Sequence, residues 1–121
     1  MTEIQNTKVY DLEERTFQFA KTVILFSKKL PQTQSNLVNI KQVIRSSGSV
    51  GANYIEANES LSKKDFIMRA KISRKESKET IYWLRLIMET NESVFELECT
   101  RLITEAVELK KIFSSIIEKS L

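Results

Sequence analysis

The residues most able to do chemistry are concentrated in one stretch, R-S-S-G-S-V-G-A-N-Y-I-E-A-N, from Arg45 to Asn58, which holds both glycines of the chain. Glycine and serine at this density suit either a loop whose amides cradle a phosphate or a helix thin enough for another backbone to approach. A P-loop needs a lysine directly after its last glycine, and a dinucleotide-binding turn needs G-x-G-x-x-G between a strand and a helix. G-S-V-G-A-N has neither, and nothing before it reads as a strand. A helix through this region is penalised by about 1 kcal/mol per glycine and a few tenths per serine, roughly 3 kcal/mol together. Close packing must offset that penalty, and the compact pairs Ser47/Gly51, Gly48/Ala52 and Ser49/Asn53, each four apart, allow it. The spacing predicts a helix.

Other groups capable of chemistry are sparse. The chain has no histidine, which removes Ser-His and Cys-His nucleophile systems and the Glu-x-x-His pairs of di-iron bundles. Glu56 with Glu59, and Glu76 with Glu79, are carboxylates at a spacing that could hold a metal, but solvated or ion-paired acids are the ordinary reading. Cys99, the one cysteine, has no activating neighbour in sequence and reads as a small core or boundary residue. The expectation is a protein that is not an enzyme and takes no cofactor or metal.

The elements that must position these residues are helical throughout. Asp11-Leu12-Glu13-Glu14 has the form of a capping box, and Leu12, Thr16, Phe19, Val23, Phe26 and Leu30 follow on one stripe. Pro31 ends that helix, because the residue before a proline is pushed out of the α region. A polar loop, Gln32 to Asn36, leads into the helix that contains the opening stretch. Ser62 with Asp65 reads as another N-cap, and Phe66, Ala70, Ser73, Ser77, Thr80, Leu84 and Ile87 form the seam behind it. Ser93-Val94-Phe95-Glu96 reads as a third box. The last helix has Leu97, Arg101, Thr104, Glu108 and Lys111 on its wet side and Leu102, Ile103, Ala106, Leu109, Ile112, Phe113, Ile116 and Ile117 on its dry side. Helices over about 11–29, 37–58, 63–89 and 94–119, joined by short connections, predict an all-α fold: one antiparallel up-down-up-down four-helix bundle spanning 1–121.

On a helix, Arg45, Ser49, Asn53 and Glu56 share one face, flanked by apolar residues on both sides. A charge so placed needs a partner, and the third helix offers Glu76 and Glu79, with Arg45 to Glu79 the preferred pair. The column is either an internal polar network that fixes helix register or a polar ligand pocket. If it is internal, Arg45→Ala removes about 3 to 5 kcal/mol.

Charge and surplus apolar surface bear on partners. Net charge is only +3, yet residues 61–90 carry eight Lys/Arg against four Asp/Glu, whereas residues 91–121 carry four against six. With the third helix's seam turned inward, Lys64, Lys71, Lys78 and Arg85 repeat every seven residues on the outer face, with Arg74 and Lys75 alongside. Such a stripe either tracks a phosphate backbone, with Tyr82 as a stacking surface, or is a solvated face partly neutralised by Glu76 and Glu79. Ile67, Ile72, Ile81, Trp83 and Leu86 lie off the seam of the same helix, more apolar surface than one bundle core requires; either this marks self-association or a broad core stripe buries all five within one chain. The 121 residues suffice for one core without disulfides. A single cysteine, no apolar signal core at the N-terminus and no membrane-length apolar run predict a cytoplasmic protein with no membrane segment.

The run Arg45 to Ala57, followed by Lys64-Asp65-Phe66 and by Lys75-Glu76-Ser77-Lys78-Glu79-Thr80-Ile81-Tyr82-Trp83-Leu84, resembles the four-helix bundle proteins encoded in intervening sequences of bacterial 23S ribosomal RNA genes. The accessory variability proteins of diversity-generating retroelements belong to the same family. The resemblance covers nearly the whole chain and is strongest in the pattern R-x-x-x-S-[IV]-x-A-N-x-x-E. By position it implies that Arg45, Ser49, Asn53 and Glu56 are signature residues and that Glu79 is the acid of the third helix. The chain departs from the family at Ser73-Arg74-Lys75-Glu76, where many members carry A-R-G-S. The resemblance further implies a ring-like homopentamer with a basic surface that binds RNA or ribonucleoprotein. The alternative is a scaffold that binds a partner polypeptide.

Overall fold

A computed structural model describes the backbone of residues 2–121 and the side chains of residues 11–121. Four helices account for most of it: α1 (Thr2–Ser27), α2 (Gln34–Asn58), α3 (Lys63–Thr90) and α4 (Glu96–Ser120), the last entered through a short 3₁₀ turn, Ser93–Phe95. They form the four-helix bundle expected from the apolar periodicity. Along the chain neighbouring helices pack on one another, α2 and α3 sit at the heart of the contacts, and α1 rests mainly on α2 and more sparsely on α4.

The core is the inner stripe of each helix. Phe19, Val23, Phe26 and Leu30 enter from α1 and the turn after it, Val43, Val50 and Tyr54 from α2, and Leu84 and Ile87 from α3. Cys99, Leu102, Ala106, Leu109 and Phe113 complete it from α4. Tyr54 and Phe113 meet edge to face across the centre, with ring centroids 5.6 Å apart, the arrangement favoured by the ring quadrupoles. All five residues assigned to the wet side of the last helix are exposed.

Continuous α-helix runs through the glycine- and serine-dense centre of α2, and no described residue has a positive φ. The two glycines do different things. A Cβ added to Gly51 would lie 2.7 Å from Thr16 Oγ1 and 3.0 Å from Thr16 Cβ, so α1 crosses almost against the backbone of α2 there. Gly48 faces open space, with nothing within 4 Å of an added Cβ. Close approach therefore explains Gly51 and not Gly48.

Three boundaries differ from the sequence reading. Helix α1 starts well before Asp11; residues 1–10 contain no glycine or proline to stop it, and Glu14 accepts from Gln18 Nε2 at 2.7 Å instead of closing a box. Helix α2 begins at Gln34, because the Thr33 side chain caps it by accepting from the Asn36 amide at 3.2 Å. The Ser93 box does not form: the chain makes the 3₁₀ turn without a side-chain cap, and Phe95 anchors it edge-on to Phe26, 6.4 Å away. The Ser62 cap forms as expected, accepting from the Asp65 amide at 3.1 Å.

Candidate nucleic-acid interface

The seam of α3 fixes which residues it shows to water. Ala70, Ser73, Ser77, Thr80, Leu84 and Ile87 are buried and Phe66 is partly so. Three of these are hydroxyl residues, and their polar groups are satisfied locally: Ser73 donates to the Val50 carbonyl across the interface at 2.8 Å, and Ser46 and Thr80 hydroxyls meet at 2.8 Å. Small side chains let α2 and α3 lie close, and the hydrogen bonds remove the desolvation penalty that the hydroxyls would otherwise carry.

On the opposite face run Lys64, Met68, Lys71, Lys75, Lys78, Tyr82 and Arg85, all exposed, while Arg74 is half-buried at the edge. No acid interrupts this spine between Lys64 and Arg85, which are about 32 Å apart at 1.5 Å per residue. Among the described residues no carboxylate lies within 4 Å of the charged nitrogens of Lys64, Lys71, Arg74, Lys75 or Lys78, and Arg85 meets Glu89 only loosely at 3.7 Å. The two acids expected to neutralise the stripe, Glu76 and Glu79, are turned toward α2. Glu79 pairs with Arg45 of α2, and Glu76 lies 3.4 Å from the same guanidinium. Among the described residues, neither acid meets Lys64, Lys71, Arg74, Lys75 or Lys78.

The preferred Arg45–Glu79 pair thus forms and stitches α2 to α3. It is not internal, however. Arg45 keeps 47% of its side-chain surface and Glu79 35%, whereas Glu76 keeps only 10%. Nor do Arg45, Ser49, Asn53 and Glu56 form one connected network among the described residues. Asn53 donates to the Ser49 carbonyl at 2.9 Å and accepts from Arg69 at 3.1 Å, and Glu56 is exposed. Arg45 and Glu56 are exposed and Ser49 and Asn53 half-buried, so the column that looked enclosed by sequence alternation borders solvent.

Several polar anchors carried no sequence signal. Arg15 of α1 makes two bonds to Glu105 of α4, at 2.7 and 2.8 Å, bridging the most loosely packed adjacent pair of helices, and this hydrogen bonding raises its pKa. Lys29 reaches Glu98 at 2.9 Å. Asn36 and Asn91, 55 residues apart, exchange side-chain bonds at 2.8 and 2.9 Å, and each also donates to a main-chain carbonyl at 2.8 Å, that of Pro31 or Ile87. This lock ties the connection before α2 to the one after α3.

The other candidate groups resolve simply. Cys99 is buried, and burial, with a smaller effect from Glu98, pushes its thiol up from 9.0 to about 11, the opposite of an activated nucleophile. The five off-seam apolar residues of α3 are all half-buried within the chain. Half of the twelve large apolar side chains exposed among the described residues lie on α1 (Phe17, Ile24, Leu25) and α2 (Leu37, Val38, Ile55). No described helix is long and apolar enough to cross a membrane.

Comparison with known proteins agrees with this architecture. A crystal structure of a protein of unknown function from the S23 ribosomal protein family of Bacteroides thetaiotaomicron superposes with a TM-score of 0.82 at 33% identity, covering 92% of this chain and 98% of that one. No functionally curated protein matches. Residues 8–115 match the family described as 23S rRNA-intervening sequence protein, a span that includes the α2 signature and the whole basic spine of α3. The chain belongs to the 23S rRNA-intervening sequence protein family.

Proposed function

We propose that this protein is a non-enzymatic, self-associating four-helix bundle of the cytoplasm that binds RNA along the outer face of α3. The observation that carries the reading is the uninterrupted spine Lys64, Lys71, Lys75, Lys78 and Arg85, with Arg74 beside it, none of it neutralised by Glu76 or Glu79. Lys71, Lys75 and Lys78 stand about 4.5 to 6 Å apart along the helix, and Lys64 and Arg85 lie about 10.5 Å beyond either end of that trio, a spacing able to follow one sugar-phosphate backbone. Self-association is supported by the exposed apolar side chains of α1 and α2, which one chain leaves uncovered.

The reading has a quantitative signature. Each phosphate neutralised on a single strand lowers the slope of log K against log salt by about 0.7. If all five spine cations are engaged the slope is about −3.5, so affinity falls roughly 100-fold between 50 and 200 mM salt. Fluorescence anisotropy with a labelled single-stranded oligoribonucleotide measures this directly. Reversing Lys71 and Lys78 to Glu should weaken binding and flatten the slope by at least about 1.4. Binding that is absent, or indifferent to salt, would refute the proposal. Capture of a specific polypeptide by a protein that binds no RNA would favour the scaffold alternative.

A further inference from the structure

Tyr82 is the one aromatic residue on the basic spine, 57% exposed between Lys78 and Arg85. Its ring meets that of Trp83 at 5.0 Å and 81°. In an edge-to-face contact at most one face of a ring is covered, so Tyr82 keeps at least one face free whichever ring supplies the edge. Beside it is an open recess of about 190 Å³, lined by Tyr82, Arg85, Leu86 and Glu89. Trp83 is itself held: its indole N–H donates to Glu79 Oε2 at 3.3 Å, and the same oxygen receives Arg45 from α2. A continuous chain therefore runs from α2 through Arg45, Glu79 and Trp83 to the ring of Tyr82.

The geometry points to a nucleobase-stacking subsite on Tyr82, at the recess beside it, with Arg45 and Glu79 as positioning residues that act through Trp83. This rests on the RNA reading and adds to it. The lysines contact phosphates that every sequence shares, whereas Tyr82 contacts a base, and only an unstacked base can reach it. Arg85 lines the recess and pairs only loosely with Glu89, 3.7 Å away and equally exposed, so its fork of donors is available to the edge of the stacked base. The α2–α3 stitch, otherwise a modest surface ion pair, then has a second consequence: it holds the aromatic platform at a fixed height over the phosphate track.

The test compares a single-stranded oligoribonucleotide with an abasic oligomer of equal length and charge, using wild-type protein, Tyr82→Ala, Tyr82→Phe, Arg45→Ala and the Tyr82→Ala/Arg45→Ala pair. Alanine truncation of one stacking residue reduces affinity roughly 5- to 150-fold. Wild type should favour the base-bearing oligomer by about that factor, Tyr82→Phe should keep the preference, and Tyr82→Ala should erase it while leaving the salt slope and abasic binding unchanged. Arg45→Ala should weaken the preference in wild type and change nothing further in the Tyr82→Ala background, which a general structural defect would not do. Fluorescence of the single tryptophan, Trp83, should respond to the base-bearing oligomer and not to the abasic one. Equal binding of the two oligomers by wild type, or a preference that survives Tyr82→Ala, overturns the subsite while leaving the RNA reading intact. Failure of wild type to bind either oligomer overturns both. An additive loss in the double variant removes the positioning role.

Discussion

Gly48 and Gly51 sit one turn apart on the same helix, yet the structure assigns alanine opposite effects at the two positions. At Gly48 an added methyl meets nothing within 4 Å, so the substitution keeps only its helix-propensity gain, about 0.8 to 1 kcal/mol. At Gly51 the same gain is opposed by a Cβ placed 2.7 Å from Thr16 Oγ1 and 3.0 Å from Thr16 Cβ. The hydroxyl cannot swing aside freely, because Thr16 is 1% exposed and its hydroxyl donates to the Glu13 carbonyl at 2.9 Å. Its Cβ moves only if α1 moves. Overpacking against a backbone-anchored atom falls in the upper part of the usual range, about 2 to 3 kcal/mol, leaving Gly51→Ala about 1 to 2 kcal/mol less stable than wild type. Urea unfolding followed by circular dichroism reads both, and the two variants should differ by about 2 to 3 kcal/mol in opposite directions from wild type. Adding Thr16→Ala should recover part of the Gly51→Ala loss non-additively. A Gly51→Ala protein as stable as Gly48→Ala would refute the close approach of α1 to α2. Gly48→Ala that stabilises the fold but weakens self-association would place a second chain over Gly48.

Three further outcomes follow from the polar contacts. Arg45→Ala should destabilise by about 1 to 2 kcal/mol, between the 0.2–1 of an exposed pair and the 3–5 of a buried one, because Arg45 and Glu79 are half-wet while Glu76 is not; a loss above about 4 kcal/mol in urea titration would show the column to be buried after all. Asn91→Ala leaves the Asn36 amide without one acceptor and its carbonyl without a donor, so about 1 to 3 kcal/mol should be lost, and amide exchange should quicken at both connections; an unchanged midpoint would deny the lock. Cys99 has a folded-state pKa of about 11 against 9.0 unfolded, so its contribution is complete below pH 9 and is lost as pH rises toward 11, at about 1.4 kcal/mol per unit. Cys99→Ala should therefore lose less stability over that window than wild type, and identical pH profiles would contradict the burial of the thiol.

Local rules carried much of the fold because the bundle is built from helices whose inner stripes repeat every three or four residues. Thr16, Phe19, Val23 and Phe26, or Ala70, Ser73, Ser77 and Thr80, are legible as buried faces from spacing alone, and so is the Ser62 cap. The Asp11 and Ser93 boxes failed for a local reason: acids three residues apart are common inside helices, and a serine at the right spacing caps only if the chain enters the helix at that residue. In the candidate interface the basic column was legible, since the residues opposite a seam must face water. Its freedom from neutralisation was not legible, because that depends on where Glu76 and Glu79 turn.

By itself the sequence determined that this is a helical protein, that α2 passes unbroken through Gly48 and Gly51, and which face of α3 carries lysine. These follow from backbone propensity and period, which act within a few residues. Tertiary structure alone decided that Gly51 and not Gly48 lies against α1, that Arg45 stays half exposed while it pairs with Glu79, and that Asn36 meets Asn91. Each of these depends on the distance between helices, and that distance is set by how whole faces pack together rather than by any one residue's neighbours in the chain.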